Sequence, residues 1–279
     1  AVSTAVRVAS APVPAVVAQA ESGVFTDKDE LLTGAGLTDL RMSLFERLLR
    51  RCQAAGWTDA FGVIRRQGRM HEEIAAFPSR AFYDGKLETL FARQREALSP
   101  EETAGASALG AKFPELAPAL PALAARRLTF WNSPTEMQTK IHAAEARRAA
   151  KCAEFFIRLL GDEASAQSVG VIAPFRAQIA AIYRELPEEL HDLVSVDTVE
   201  RYQGSERDII IVSFAVNFAS QLRSIESLSP DRNVDRKLNV ALTRARKRLV
   251  LLGRARELSH SPIFRALIEH TREGGGYIE

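Results

Sequence analysis

Hydrophobic and polar positions along the chain change rhythm near residue 168. Upstream, apolar residues recur at helical spacing. In SLFERLLRRCQAA (43–55), Leu44, Leu48, Leu49 and Cys52 fall on one stripe, with Ser43 placed to cap the helix and Gly56 to end it. A second short helix is predicted to start near His71 and to stop before Pro78. LTFW (128–131) reads as a short strand, and Ile141–Leu160 as a long helix with Phe155, Phe156, Leu159 and Leu160 facing inward. Downstream, short apolar runs without alternation are separated by amphipathic segments. SVGVIA (168–173), LVSV (193–196), DIIIVSF (208–214) and RLVLLG (248–253) predict buried strands. FRAQIAAIYREL (175–186), a segment near 234–245 and Ser261–Thr271 predict helices. Strands apolar on both faces, separated by helices, imply a parallel sheet covered on both sides, so the fold class is α/β.

Composition narrows the function classes. The chain has 279 residues, 46% hydrophobic and 26% charged, which excludes an intrinsically disordered protein. It contains no apolar run long enough for a membrane span, so no membrane partner is expected. The N-terminal stretch is broken by Arg7, Pro12 and Pro14, unlike a signal peptide, and a cytoplasmic location is expected. Cys52 and Cys152 are too few for a disulfide framework, and the histidines form no HExxH, so no bound metal is expected. A net charge of +2 conceals a local bias. Residues 232–256 hold nine Lys or Arg against one acid, Asp235, which invites a polyanion. Residues 1–42 read as an arm, and the Ala/Pro/Gly-rich stretch at 99–127 as a surface insertion.

No nucleotide cradle is found. The nearest spacing to GxxxxGK[ST] is Gly105 and Gly110, where Lys112 is displaced and no strand precedes. GAGLTD (34–39) lacks the third Gly of a dinucleotide fingerprint.

Four segments carry chemistry. They are Gln67-Gly68-Arg69-Met70-His71 with FPSRAFYDGKL (77–87), Pro174-Phe175-Arg176-Ala177-Gln178, VDTVERYQGSERD (196–208), and RKLNVALTRAR (236–246). Pro174–Gln178 ends a strand, where open α/β sheets bind ligands. Gly204 permits close backbone approach. Arg244 precedes a buried strand and can point across a cleft at a phosphate held by another domain, as an arginine finger does. Taken singly, each Arg also fits a solvated face or a structural ion pair. Met70 and His71 fit packing and capping, Asn239 and Thr243 fit bracing of a helix, Phe175 fits core as well as stacking, and Lys247 and Arg248 fit surface charge.

In order and wording the four segments resemble the second RecA-like domain of superfamily 1 helicases. The branch is the one that includes the nonsense-mediated-decay helicase and the DNA-replication nuclease-helicase. The resemblance runs from Ser43 to about residue 253, the 99–127 stretch excepted. It implies a RecA-like parallel sheet with helices on both faces, the second domain of a P-loop NTPase pair without its own Walker A loop. It implies that Arg69 and Arg244 contact the γ-phosphate of ATP. Gln67, Gly204 and Glu206 would lie at the nucleotide, Thr198 at a nucleic-acid phosphate, and Pro174, Phe175 and Arg176 against the single strand. ATP and Mg2+ are the implied cofactors, held mainly by an upstream RecA-like domain from which residues 1–42 would be the exit. Single-stranded nucleic acid is the implied partner, with DNA favoured over RNA. The sequence departs at Gly68, where the family has a Tyr that stacks on the adenine, and at Glu72, where it has a Pro. The expectation is therefore a C-terminal motor domain of an ATP-dependent helicase. The alternative is a non-catalytic nucleic-acid-binding or scaffold module that kept the fold.

Overall fold

The computed structural model describes residues 43–229 and 232–279. The expected arm over 1–42 lies outside the described residues. The chain divides into two compact units, one including 43–65 and the other Arg66–Glu279. In the first, α1 (Leu44–Ala54) is capped by the Ser43 hydroxyl, which accepts from Glu46 N at 3.1 Å. Gly56 follows with φ +69°, the left-handed conformation that ends a helix.

The second unit is a six-stranded parallel sheet with helices on both faces. In chain order its elements are β1 (Arg66–Gln67), α2 (Glu72–Phe82), β2 (Glu88–Thr89), α3 (Pro100–Gly110), α4 (Leu120–Ala125), β3 (Leu128–Asn132), α5 (Ala143–Leu160), β4 (Val169–Ile172) and α6 (Arg176–Glu185). They continue as β5 (Val194–Asp197), β6 (Arg207–Ser213), α7 (Leu222–Ile225), α8 (Arg236–Leu242), β7 (Ala245–Gly253), α9 (Ala255–Leu258), α10 (Pro262–Glu273) and β8 (Tyr277–Ile278). The main sheet has the order β5-β4-β6-β7-β3-β8, every pair parallel, and β1 and β2 form a separate parallel pair.

Period-two alternation sorts the strand residues onto the two faces. Val169, Val171, Ile209, Ile211, Val250 and Leu252 join α5 and α6 in one core. Ile172, Ile210, Val212, Leu249 and Leu251 join α2, α8 and α10 in the other. Burial on both faces is why the strands read as continuous apolar runs.

Three sequence expectations are corrected. The 99–127 stretch is not a surface insertion. Ser99 caps α3 with a reciprocal Glu102 bond, and Phe113, Leu116, Leu123 and Ala124 are buried in the α5 core. Alanine is the best helix former and small enough for close helix packing, so this composition builds rather than loosens structure. Helix α2 does not stop before Pro78 but runs through it to Phe82, with Pro78 buried. Arg248 is not surface charge. It is 6% exposed and donates to the carbonyls of Leu123 (2.6 Å), Ala124 and Arg126, closing the end of α4.

Parallel strands fix where loops go. The segment 198–206 leaves the C-terminal end of β5 and must return along the sheet to the N-terminal start of β6. Tyr202 pins it: its hydroxyl donates to Ser195 O at 2.7 Å, and it is 3% exposed. Thr198 and Glu206 therefore stand at opposite edges of the sheet, separated by the seven residues of β6, about 20 Å.

Candidate functional site

The N-terminal edge gathers arginines. Gln67 builds the turn that aims the first of them. Its Oε1 accepts from Arg69 N (3.0 Å) and Met70 N (2.7 Å), and its Nε2 donates to Met70 O (2.9 Å). Both ends of the Gln67 amide are thus taken up by its own turn. Met70 is buried, and His71 caps α2 through Nδ1, which accepts from Glu73 N. The His71 N–H donates to Arg246 O at 2.8 Å, anchoring the turn to β7. Arg69 then reaches Glu206 through Nε and Thr243 O through Nη1 (3.0 Å). Glu206 also pairs with Arg246 at 3.3 Å. The Arg69 guanidinium, and Arg246 beside it, hold the Glu206 carboxyl below its usual range.

Arg244 sits beside this pair under different terms. It is 3% exposed, and its guanidinium donates to Val240 O (3.0 Å), Ser205 O (3.2 Å) and Thr243 Oγ1 (3.1 Å). All three partners are neutral, and among the described residues no carboxylate lies within ion-pair distance of it. Burial, then the neighbouring Arg69 charge, pushes its pKa down to about 10, so it stays cationic at neutral pH. A buried cation with neutral partners only is costly unless an anion completes it. Gly204, beside the Ser205 carbonyl in the loop before β6, has φ +87°, and a Cβ there would meet nothing within 4 Å. Backbone conformation, not crowding, selects glycine at that position.

The C-terminal edge holds the other candidates. Pro174, Phe175 and Arg176 follow β4. Phe175 is half-buried against the α8 core, and Arg176 is exposed in the first turn of α6. Thr198 follows β5 half-buried, its N–H donating to Asp197 Oδ1 at 2.8 Å. The structure thus brings Gln67, Arg69, Gly204, Glu206 and Arg244 to one edge, and Thr198 with 174–176 to the other.

Sequence reasoning missed a buried network behind the C-terminal edge. Gln178 Nε2 donates to Ser213 Oγ (3.0 Å) and to His142 O (3.1 Å), and its Oε1 accepts from His142 N (2.8 Å). Ser213 Oγ donates onward to Glu145 Oε2 (2.7 Å), which also accepts from Ala215 N (2.9 Å). Burial raises the Glu145 pKa. Gln178 lay within a quoted segment and its polarity on an apolar helix face was a signal; Glu145, in an ordinary helical run, gave none. Gln94 was missed too. It is 3% exposed and ties the turn of Arg69 to the segment 90–91.

The sequence pattern of the AAA domain family (AAA_12) matches residues 40–256, most of the chain. The chain belongs to this family. The AAA domain described here is similar to a probable helicase of Dictyostelium discoideum, 30% identical over 82% of the chain and 21% of that protein. It is similar to the ATP-dependent helicase NAM7 of Saccharomyces cerevisiae, 28% identical over 86% of the chain and 23% of that protein. It also resembles the DNA replication ATP-dependent helicase/nuclease DNA2 of Bos taurus, 39% identical over 37% of the chain and 9% of that protein. The domain is accordingly a RecA-like α/β domain of the helicase type, and its match spans about a fifth of the length of the first two relatives. No helix among the described residues is long and apolar enough to cross a membrane.

Proposed function

We propose that this AAA domain is the second motor domain of an ATP-dependent helicase. It supplies Arg69 and Arg244 to the γ-phosphate of ATP held by an upstream RecA-like domain. It grips a single strand through Thr198 and the 174–176 loop, and DNA is the favoured strand. The observation that carries this reading is the state of Arg244: buried, cationic, backed by Arg69, and bonded only to neutral acceptors. Such a pair suits an incoming phosphate, to which guanidinium forks bond strongly. ATP and Mg2+ supply the phosphoryl group and its counter-charge. This domain's own part is the arginine pair. The two edges divide the work, phosphate contact at the start of β6 and β7, strand contact beyond β4 and β5.

The test uses the full-length protein. Arg244→Ala should lower the rate of ATP hydrolysis by roughly 10³–10⁵, while single-strand affinity stays within about threefold of wild type. Hydrolysis and binding falling together would refute the assigned role. The isolated chain should hydrolyse no ATP.

Gly68 favours a second reading, a binding module without a motor, because the family's stacking ring is missing there. That reading predicts strand affinity that falls linearly in log salt and does not respond to ATP in the full-length protein.

A further inference from the structure

The ring absent from position 68 has a neighbour in its place. A Cβ on Gly68 would fall 2.8 Å from Phe91 Cε2. The Phe91 ring therefore lies close against the backbone at 68, and a side chain at 68 would require that ring to move aside. Phe91 is nonetheless 42% exposed, and Leu90 beside it 48%. Its face is not left bare. The guanidinium of Arg93 lies over it, 4.3 Å from its centroid, so a flat group already rests on its face.

The ring is also held in register with the arginine edge. The buried Gln94 amide bonds both ways. Its Oε1 accepts from Leu90 N (3.0 Å) and Phe91 N (2.8 Å), and its Nε2 donates to Gln67 O (3.1 Å) and Met70 O (2.7 Å). Leu90 N also donates to Gln67 O at 3.1 Å. One side chain thus fixes the segment carrying Phe91 against the turn carrying Arg69. Arg69, Arg93 and Gln94 all line one cleft of about 530 Å³, walled further by Arg127, Arg246 and Lys247 and by the carboxylates of Glu96, Glu102 and Asp208. An aromatic ring beside an arginine-rich cleft, with the buried Gln94 amide fixing their spacing, offers a place for a flat base joined to a polyanion.

We propose that Phe91, whose face Arg93 covers, is the base-stacking ledge of the nucleotide site, and that Gly68 is glycine because this ring comes from the segment that follows β2. The inference rests on the nucleotide reading above. A purine takes the face that the exposed Arg93 now covers, and its phosphates run towards Arg69. Stacking discriminates a nucleotide from a bare polyphosphate, since only the former has a π-face.

The test is steady-state ATP hydrolysis by the full-length protein, with inorganic tripolyphosphate as competitive inhibitor, in wild type, Phe91→Ala, Phe91→Trp and the double variant Gly68→Tyr/Phe91→Ala. Loss of one stacking contact should raise KM for ATP roughly 5- to 150-fold in Phe91→Ala. The maximal rate and the inhibition constant of tripolyphosphate should stay as in wild type. Phe91→Trp should keep the wild-type KM. The double variant, whose Tyr ring can enter the vacated space, should recover much of it. An unchanged KM in Phe91→Ala would overturn the ledge. So would equal weakening of ATP and tripolyphosphate, which would mean that the Arg69 turn had merely loosened. A wild-type protein that neither hydrolyses ATP nor binds it would overturn the nucleotide reading itself, and the ledge with it.

Discussion

The Arg69 side chain donates to Glu206, a carboxylate 137 residues further along the chain, and so reaches the sheet edge already paired. Arg244 beside it has no such partner among the described residues. On the proposed reading the two arginines would meet one phosphate from different states, the first oriented by a carboxylate and the second hydrogen-bonded only to neutral acceptors.

The pair has a signature in pH. The Glu206 carboxyl is held below its usual range, chiefly by Arg69. A depressed folded-state pKa gives stability that is present above the unfolded value, about 4.3, and lost as pH falls through the folded value. Glu206→Gln should therefore be slightly less stable than the unsubstituted chain at pH 7, by about 1 kcal/mol or less because both side chains are partly exposed, and equal to it in strong acid. Urea unfolding across pH 3–7 reads the difference.

Glu145 has the opposite sign. Burial raises its pKa, so its contribution is fully present below the unfolded value and lost as pH rises through the folded one. Glu145→Gln keeps an acceptor for Ser213 and Ala215 without the charge. It should match or exceed wild-type stability at pH 7, the advantage shrinking on acidification. Glu145→Ala leaves the Ser213 hydroxyl and the Ala215 N–H without that acceptor, at about 1–3 kcal/mol for each buried donor. Equal midpoints for the Gln and Ala variants in thermal unfolding would refute this role.

Gly170 in β4 leaves room for the anchor of the crossover loop. A Cβ there would fall 2.3 Å from the Tyr202 hydroxyl and 3.0 Å from Arg207 Cγ. Gly170→Ala should cost about 1–3 kcal/mol through overpacking. It should also increase amide exchange across 198–206, which Tyr202 holds down. Exchange rising elsewhere but not in this loop would contradict the anchoring role.

Arg176 is exposed in the first turn of α6. If it meets one phosphate of a single strand, Arg176→Ala should lower the steepness of log K against log salt by about 0.7. Thr198→Ala, which removes a neutral hydroxyl, should weaken affinity and leave that slope as it was. Fluorescence titrations at several salt concentrations separate the two, and an unaltered slope in Arg176→Ala would remove it from the strand path.

The sheet was legible in the sequence because its strands are buried on both faces. VGVI, DIIIV and RLVLLG carry their whole signal in composition. The paired motifs were legible as words, and the structure shows why Arg69, Glu206 and Arg244 belong together. What escaped was whatever depends on a partner far along the chain. Arg248 looks like surface charge until α4 turns its carbonyls towards it. Pro78 looks like a stop until the buried side of α2 carries the helix past it. Gln94 and Glu145 are single polar residues in unremarkable runs, and only their burial gives them meaning. The two-residue strands β1, β2 and β8 are too short to show any period.

The pairing of the sheet has a consequence in time. β3, made at residues 128–132, finds its neighbours only in β7 and β8, which begin at residues 245 and 277. β6 likewise waits for β7 on one side. Until the last part of the chain has been made, two apolar strands stand with open edges, the condition under which nascent chains associate wrongly. Pairings of such separation also slow folding. Arg69, Glu206 and Arg244 can meet only once the third of them exists, so the arginine edge is assembled late or not at all, and a chain stopped short of β7 would carry its motifs without a site.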